Sequence, residues 1–252
     1  MRFPRLSRSF LALAIVTGAC SDSPTGPDKS LALDEVLNEM SLSTVLPGGI
    51  GGPAGLSASA TVPTNCSYSA SVQSFVCAPV TSRGITVTHG YTLLSASGTA
   101  QPAFDAGSTA AVRTTLSATG RTTVDQMATD IDMQQTMTLS GLLSRTHVLD
   151  GTQVLKMSAN IVGAATIRFT SNTLVEGLVL PERGAASPYP RAGSITMTLV
   201  DADQVASGPL VMKMVFNGSS KVAVTITHGG ITQRCTIDLA ATGPGGSTCF
   251  AG

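Results

Sequence analysis

The chain of 252 residues is poor in aromatic and charged side chains. Trp is absent, aromatic residues make up 4% of the sequence and charged residues 12%. A surface with so few Lys and Glu must be covered by the hydroxyls of Ser and Thr, which favours an extracytoplasmic β protein over a cytosolic helical one. Clustered Lys and Arg and interleaved aromatic platforms are missing too. The composition therefore argues against nucleic-acid binding.

Long hydrophobic runs are also missing. The apolar run from Phe10 to Val16 is much shorter than the roughly 20 residues that a membrane-spanning helix needs. Three arginines precede this run, and the small residues Thr17, Gly18 and Ala19 follow it. A positive segment, a short apolar segment and a small-residue cleavage site are the three parts of a secretory signal peptide. The sequence therefore predicts a signal peptide over residues 1–19 and an exported protein.

A cysteine follows the cleavage site directly, and the segment from Thr17 to Cys20 resembles the lipobox of bacterial lipoproteins. It departs from that family at Thr17, where the usual residue is Leu. The resemblance implies that the Cys20 thiol is acylated and anchors the chain to a membrane of the cell envelope. Ser21 is similar to the residue that lets Gram-negative lipoproteins move to the outer membrane. An ordinary signal peptidase could also accept this site and leave a soluble chain with a free Cys20.

The segment between this cysteine and the first predicted strand divides into three parts. Residues 20–30 are predicted to be a flexible tether. Leu33, Val36, Leu37 and Met40 form one apolar stripe at helical spacing, which predicts a short amphipathic helix over residues 31–46. Residues 47–64 are rich in Gly and Pro and are predicted to be a linker. Because no Lys accompanies these glycines, they do not form a phosphate-binding motif.

The four remaining cysteines form two local pairs, Cys66 with Cys77 and Cys235 with Cys249. Four cysteines allow three connectivities, and the sequence alone does not choose among them. Each local pair brackets a turn-like segment, so two hairpin disulfides are the simplest arrangement. No C-x-x-C motif is present, and we expect a stabilising role in an oxidising compartment rather than redox chemistry.

From residue 65 to residue 252 the hydrophobic period is two, which predicts a β domain. The stretch from Ile85 to Leu93 alternates apolar residues with Thr and Gly. The last third has short turns at "NGSS" and "HGG", and such turns require antiparallel neighbours. The predicted fold is all-β: an antiparallel meander of roughly ten to twelve strands forming a curled sheet, a sandwich or a half-barrel, preceded by one short N-terminal helix. The Pro-rich and Gly-rich loop that ends at Gly193 is the first candidate contact surface.

The three histidines are candidates for chemistry. His89 and His228 lie in the near-copies "ITVTHG" and "VTITHG", which predicts histidines at strand ends. Together with His147 they could ligate a metal, but the supporting spacing of a Zn or Cu site is missing. We therefore predict no metal and no cofactor.

Carboxylates and methionines were the other candidates. Asp130 with Asp132, and Asp201 with Asp203, are paired carboxylates without the sequence of a calcium loop, and solvated side chains are the simpler interpretation. The methionine pairs, Met133 with Met137 and Met212 with Met214, could hold Cu(I) but are expected to fill the core.

The sequence thus favours a lipid-anchored envelope protein, placed at the outer membrane, whose β domain is not an enzyme. It would bind an apolar ligand, such as a lipid, or a protein partner, and it would contact the membrane through its anchor. The alternative is a structural or adhesive surface domain. A hydrolase acting through Asp130, Asp132 or His228 is the third hypothesis, and it is less favoured because no catalytic motif is present.

Overall fold

The computed structural model describes residues 66–124, 127–161, 166–182, 185–202, 208–240 and 247–251. These residues form β-strands and connecting turns, and no helix occurs among them. In chain order the strands are β1 (Cys66–Ser69), β2 (Ser74–Cys77), β3 (Val80–Ser82), β4 (Ile85–Ser95), β5 (Ala100–Gln101), β6 (Thr109–Val124), β7 (Met127–Ser140), β8 (Val148–Ile161), β9 (Ile167–Val179), β10 (Ala192–Asp201), β11 (Leu210–Val215), β12 (Lys221–His228), β13 (Ile231–Asp238) and β14 (Ser247–Ala251).

All the strands belong to one antiparallel sheet. Its order is β1-β2-β4-β6-β7-β8-β9-β10-β11-β12-β13-β14, and β3 and β5 pair with β4 beside β2. From β6 to β14 each strand pairs with the next one along the chain, so the predicted meander is confirmed. Within the described residues the order ends at β1 on one side and at β14 on the other. The predicted helix over residues 31–46, the tether and the linker lie outside the described residues.

The sheet curls around one of its faces, which we call the inner face. Residues that are paired across antiparallel strands point to the same side of a sheet. The buried core is built from such positions on strands at both ends of the order, including Tyr91 on β4 and Val224 on β12. Leu139 and Leu149, from strands in the middle of the order, are fully enclosed in the same core, as is Leu93 of β4. Because both ends contribute to one core, the two halves of the sheet pack against each other.

A close approach of two backbones shapes the sheet at the start of β4. Gly84 and Gly120 both have positive φ, and a Cβ on either one would collide with a backbone carbonyl oxygen of the facing strand. Only glycine fits two such opposed positions without strain. This contact holds the first residues of β4 against β6.

The structure has more strands than the sequence predicts, fourteen in the described residues against roughly ten to twelve. The difference comes from very short strands such as β3 and β5, which have three and two residues. So few residues cannot display an alternating pattern.

Candidate ligand-binding face

The inner face carries a second apolar cluster beside the main core. Four of its residues are buried, and four more surround them with part of each side chain accessible. We call this set the upper patch, and its members are Ile85, Val87, Ala118, Ile131, Met133, Leu155, Met157 and Phe169. Three of the accessible members, Met133, Met157 and Phe169, are long side chains, and methionine in particular can adapt to apolar molecules of irregular shape.

The upper patch exists because the strands have unequal lengths. Strands β6 to β9 have 13 to 16 residues, whereas β11 to β14 have 5 to 8. β11 begins at Leu210, opposite Leu199 of β10, while β7 and β8 stay paired as far as Met127 and Ile161. The long strands therefore extend past the first residue of β11. Half of the upper patch lies on this extension, namely Ile85, Ile131, Met157 and Phe169, and the other half lies level with Leu210.

A row of polar side chains separates the upper patch from the main core. Going across the sheet, His89 pairs with Leu116, Leu116 with Gln135, Gln135 with Gln153, and Gln153 with Thr173. We call His89, Gln135, Gln153 and Thr173 the polar row. The core residue Met137 lies two positions from Gln135 on one side, and Met133 of the upper patch lies two positions away on the other. The inner face is thus apolar, then polar, then apolar along its strands.

Burial sets the electrostatic character of the polar row. The Gln153 side chain is 9% exposed, and the other three residues are partly buried. Burial lowers the pKa of the His89 imidazole from its ordinary value of 6.5, so the ring is neutral at physiological pH. Burial also raises the pKa of Tyr91, two positions along β4, so that phenol is neutral as well. The polar row therefore offers hydrogen-bonding groups without formal charge.

The opposite, outer face is rich in hydroxyls. Thr88 and Ser117 are paired across β4 and β6, and their side-chain oxygens are 2.6 Å apart. The Thr81 and Thr86 hydroxyls are 2.9 Å apart. Such cross-strand hydrogen bonds supply the polar surface that a chain with few charged residues needs.

The predicted site residues fall into separate places. Cys20 lies outside the described residues. Cys66 is bonded to Cys77, and Cys235 to Cys249, each pair between directly opposite positions of neighbouring strands. These two disulfides indicate an oxidising, exported compartment.

The histidines do not form a common site. His228 is the last residue of β12, as predicted for a strand end. The same prediction is wrong for His89, which lies in the middle of β4. β4 continues past His89 because Gly90 is paired on both sides, with Val76 of β2 and Thr115 of β6. No group of three or more His, Cys, Asp or Glu that could hold a metal occurs in the described part of the chain.

The carboxylate and methionine pairs have ordinary surroundings. Asp130 and Asp132 lie on the outer face of β7, and Asp130 is 3.8 Å from the Nε of Arg121. Asp203 lies outside the described residues. Met137 and Met214 are buried in the main core, where the sequence predicted methionine as filler. Asp201 is the last residue of β10 and lies directly opposite Phe169 of β9.

The loop after β9 is tied to its surroundings where the structure describes it. The Arg191 guanidinium is 2.6 Å from the Glu182 carboxylate, and the Arg191 backbone N–H donates to the Val179 carbonyl. The Ser187 hydroxyl donates to the carbonyl of Gly218 at 2.5 Å. The described parts of this loop thus pack onto the end of the sheet, which makes the inner face the better candidate site.

The sequence pattern did not predict the polar row. Its signal is a gap in the apolar alternation of β7, where Gln135 stands between Met133 and Met137. One glutamine in a strand says little. Its meaning depends on the register that places Gln153 directly beside it.

The chain matches no known family model, no curated protein and no solved structure. Among the residues that the structure describes, no helix has the length and apolar character required to cross a membrane. The inner face must therefore be interpreted from its own chemistry.

Proposed function

We propose that this protein is a lipid-anchored lipoprotein of the cell envelope, exported to the outer membrane, whose β domain binds an apolar ligand without catalysis. The leader over residues 1–19 and the lipobox-like Cys20 support export and anchoring. The two disulfides support an oxidising compartment.

One observation carries the binding function. The upper patch continues the apolar inner face at and beyond the start of β11, and Val87, Met133, Met157 and Phe169 keep accessible apolar surface there. Apolar surface gathered on a concave face, with a few polar groups beside it, is the usual composition of a small-molecule site. An apolar ligand on this surface would bury it, which is favourable by about 25 cal/mol per Å².

The direct test is mass spectrometry of the full chain extracted from membranes. We expect an intact mass that includes acyl chains on Cys20, and a lipid or other apolar molecule that is retained under native conditions. A Met157→Glu variant should lose this molecule, because it places a charge in the upper patch. The matched control is Val154→Glu on the exposed outer face of the same strand, which should keep it.

Two results would contradict the proposal. An unmodified soluble chain would contradict anchoring, and equal ligand content in the two glutamate variants would contradict binding at the upper patch.

A structural or adhesive surface domain is the second candidate function. The hydroxyl-rich outer face, with cross-strand pairs such as Thr88 with Ser117, favours it. In that case the chain extracted from membranes would carry no ligand, and substitutions on the outer face would abolish adhesion.

A further inference from the structure

The polar row is an interruption that the fold itself does not require. Along β7 and β8 the inner-face positions on both sides of Gln135 and Gln153 are apolar or glycine: Met133, Met137, Gly151 and Leu155. Leucine or methionine at these two positions would continue the same apolar face. Two directly opposed carboxamides in such surroundings are open to a partner: within the described residues no fully buried side-chain N or O atom lacks a hydrogen bond, so any unpaired amide atom of this pair is accessible at the surface.

The protein itself supplies few hydrogen bonds to these two carboxamides. Gln153 is 9% exposed, and its Nε2 donates to the Met133 sulfur at 3.3 Å. A thioether is a weak acceptor. Among the described residues, no hydrogen bond involves the Gln135 carboxamide or the His89 ring. A carboxamide offers two N–H donors and a carbonyl acceptor, so most of the capacity of the polar row is unused.

The charge of the polar row restricts what it can bind. None of its four side chains carries a formal charge, because burial keeps His89 neutral. Carboxylate and phosphate groups are usually held by Arg or Lys, which give charge-assisted and often bidentate hydrogen bonds. No Arg or Lys occupies the polar row. Neutral donors and acceptors match an ester, an amide or a hydroxyl instead.

We propose that the polar row binds the uncharged polar group of an acyl-chain amphiphile, while the acyl chain of this ligand lies on the upper patch. This inference rests on the proposed function and names its ligand class. From Gln135 to Thr129 the inner face runs six residues, or about 20 Å at roughly 3.3 Å per residue. An extended acyl chain fits along this length.

A tryptophan reporter tests where the chain lies. The protein contains no Trp, so Phe169→Trp gives a single emission signal in the upper patch. The experiment uses the full exported chain with Cys20→Ser, so that no covalently attached acyl chain competes. A monoacylglycerol with a brominated acyl chain should quench this signal. The control is Leu174→Trp on the exposed outer face of β9, which should not be quenched.

Two further comparisons test the head-group assignment. Monooleoylglycerol should bind at least about tenfold more tightly than oleate at pH 8, since the two share a chain and differ in charge. Gln135→Leu should weaken the binding of monooleoylglycerol about tenfold, which is the effect expected for the loss of one hydrogen bond. The matched control is Gln134→Leu, on the exposed outer face of the same strand, and it should leave the affinity unchanged.

The outcomes separate this inference from the function on which it rests. Equal affinity for monooleoylglycerol and oleate, or full affinity in Gln135→Leu, overturns the head-group assignment and leaves ligand binding in place. Absence of quenching by any amphiphile overturns the proposed function as well. Quenching that appears only after Leu33→Asp and Leu37→Asp also overturns the inference, because residues 31–46 of the chain itself would then occupy the upper patch.

Discussion

At the scale of single residues, His89 shows how position in the sheet decides chemistry. His89 and His228 have nearly the same sequence context, yet His89 is half-buried on the inner face and His228 is exposed at a strand end. Its same-face neighbours Tyr91, Leu116 and Gln135 carry no charge at neutral pH. Desolvation of the imidazole is therefore the cause of the lowered His89 pKa.

This lowered pKa predicts a pH dependence of stability. In the unfolded chain the imidazole takes up a proton near its ordinary pKa of 6.5, while in the folded protein it stays neutral to a lower pH. The unfolded state then binds more protons, so the free energy of unfolding falls as pH drops through 6.5 and levels off below the folded pKa. We expect His89→Gln to remove this part of the slope, as measured by urea unfolding between pH 8 and pH 5.

His228→Gln is the control for this measurement. The His228 imidazole is exposed at the end of β12 and lies away from the polar row, so this variant measures the effect of a histidine-to-glutamine substitution elsewhere in the sheet. Parallel pH profiles for His89→Gln and the original chain would show that desolvation of His89 does not contribute.

At the scale of strands, sequence alternation predicts the long elements well. The alternating stretches at Ile85 and Lys221 correspond to β4 and β12, and the turns between β11, β12 and β13 lie where Gly and Ser predicted them. β3 and β5 were not predictable, because two or three residues display no period. The polar row was not predictable either, because His89 and Thr173 are brought into one row only by the pairing of five strands.

The disulfides act at this same scale, because each one joins two neighbouring strands at an end of the sheet order. Cys235 and Cys249 are 14 positions apart in sequence, and Cys66 and Cys77 are 11 apart. Closing a loop of about 15 residues is worth roughly 3 kcal/mol through the entropy of the unfolded chain. We expect Cys235→Ala with Cys249→Ala to lower the free energy of unfolding by about 3 kcal/mol in chemical denaturation.

Reduction of the unmodified chain provides the comparison for that double variant. A reductant should destabilise the original protein by more than it destabilises the double variant, which keeps one disulfide. Cys20→Ser should respond to the reductant as the original chain does. An unchanged stability in the double variant would show that pairing of β13 with β14 does not depend on the covalent link.

At the scale of the whole molecule, a single sheet separates three environments. Its inner face holds a closed core on one side of the polar row and the upper patch on the other, while its outer face presents hydroxyls to solvent. The mature chain predicted to begin at Cys20 has 12 basic and 15 acidic groups, a net charge of −3.

The sorting of the protein between membranes is the prediction that belongs to this scale. The resemblance to bacterial lipoproteins implies that Ser21, directly after the acylated cysteine, permits transfer to the outer membrane, whereas Asp at that position favours retention in the inner membrane. We expect Ser21→Asp to move the protein to the inner-membrane fraction in a density-gradient separation. Ser23→Asp is the matched control, since it adds the same charge two positions further along the tether. If both variants stay in the outer-membrane fraction, Ser21 does not direct sorting. If both leave it, sorting depends on a negative charge in the tether and not on the position directly after Cys20. Because the β domain begins after residue 64, neither substitution should change its thermal unfolding, so a shift between fractions would report on the anchor alone.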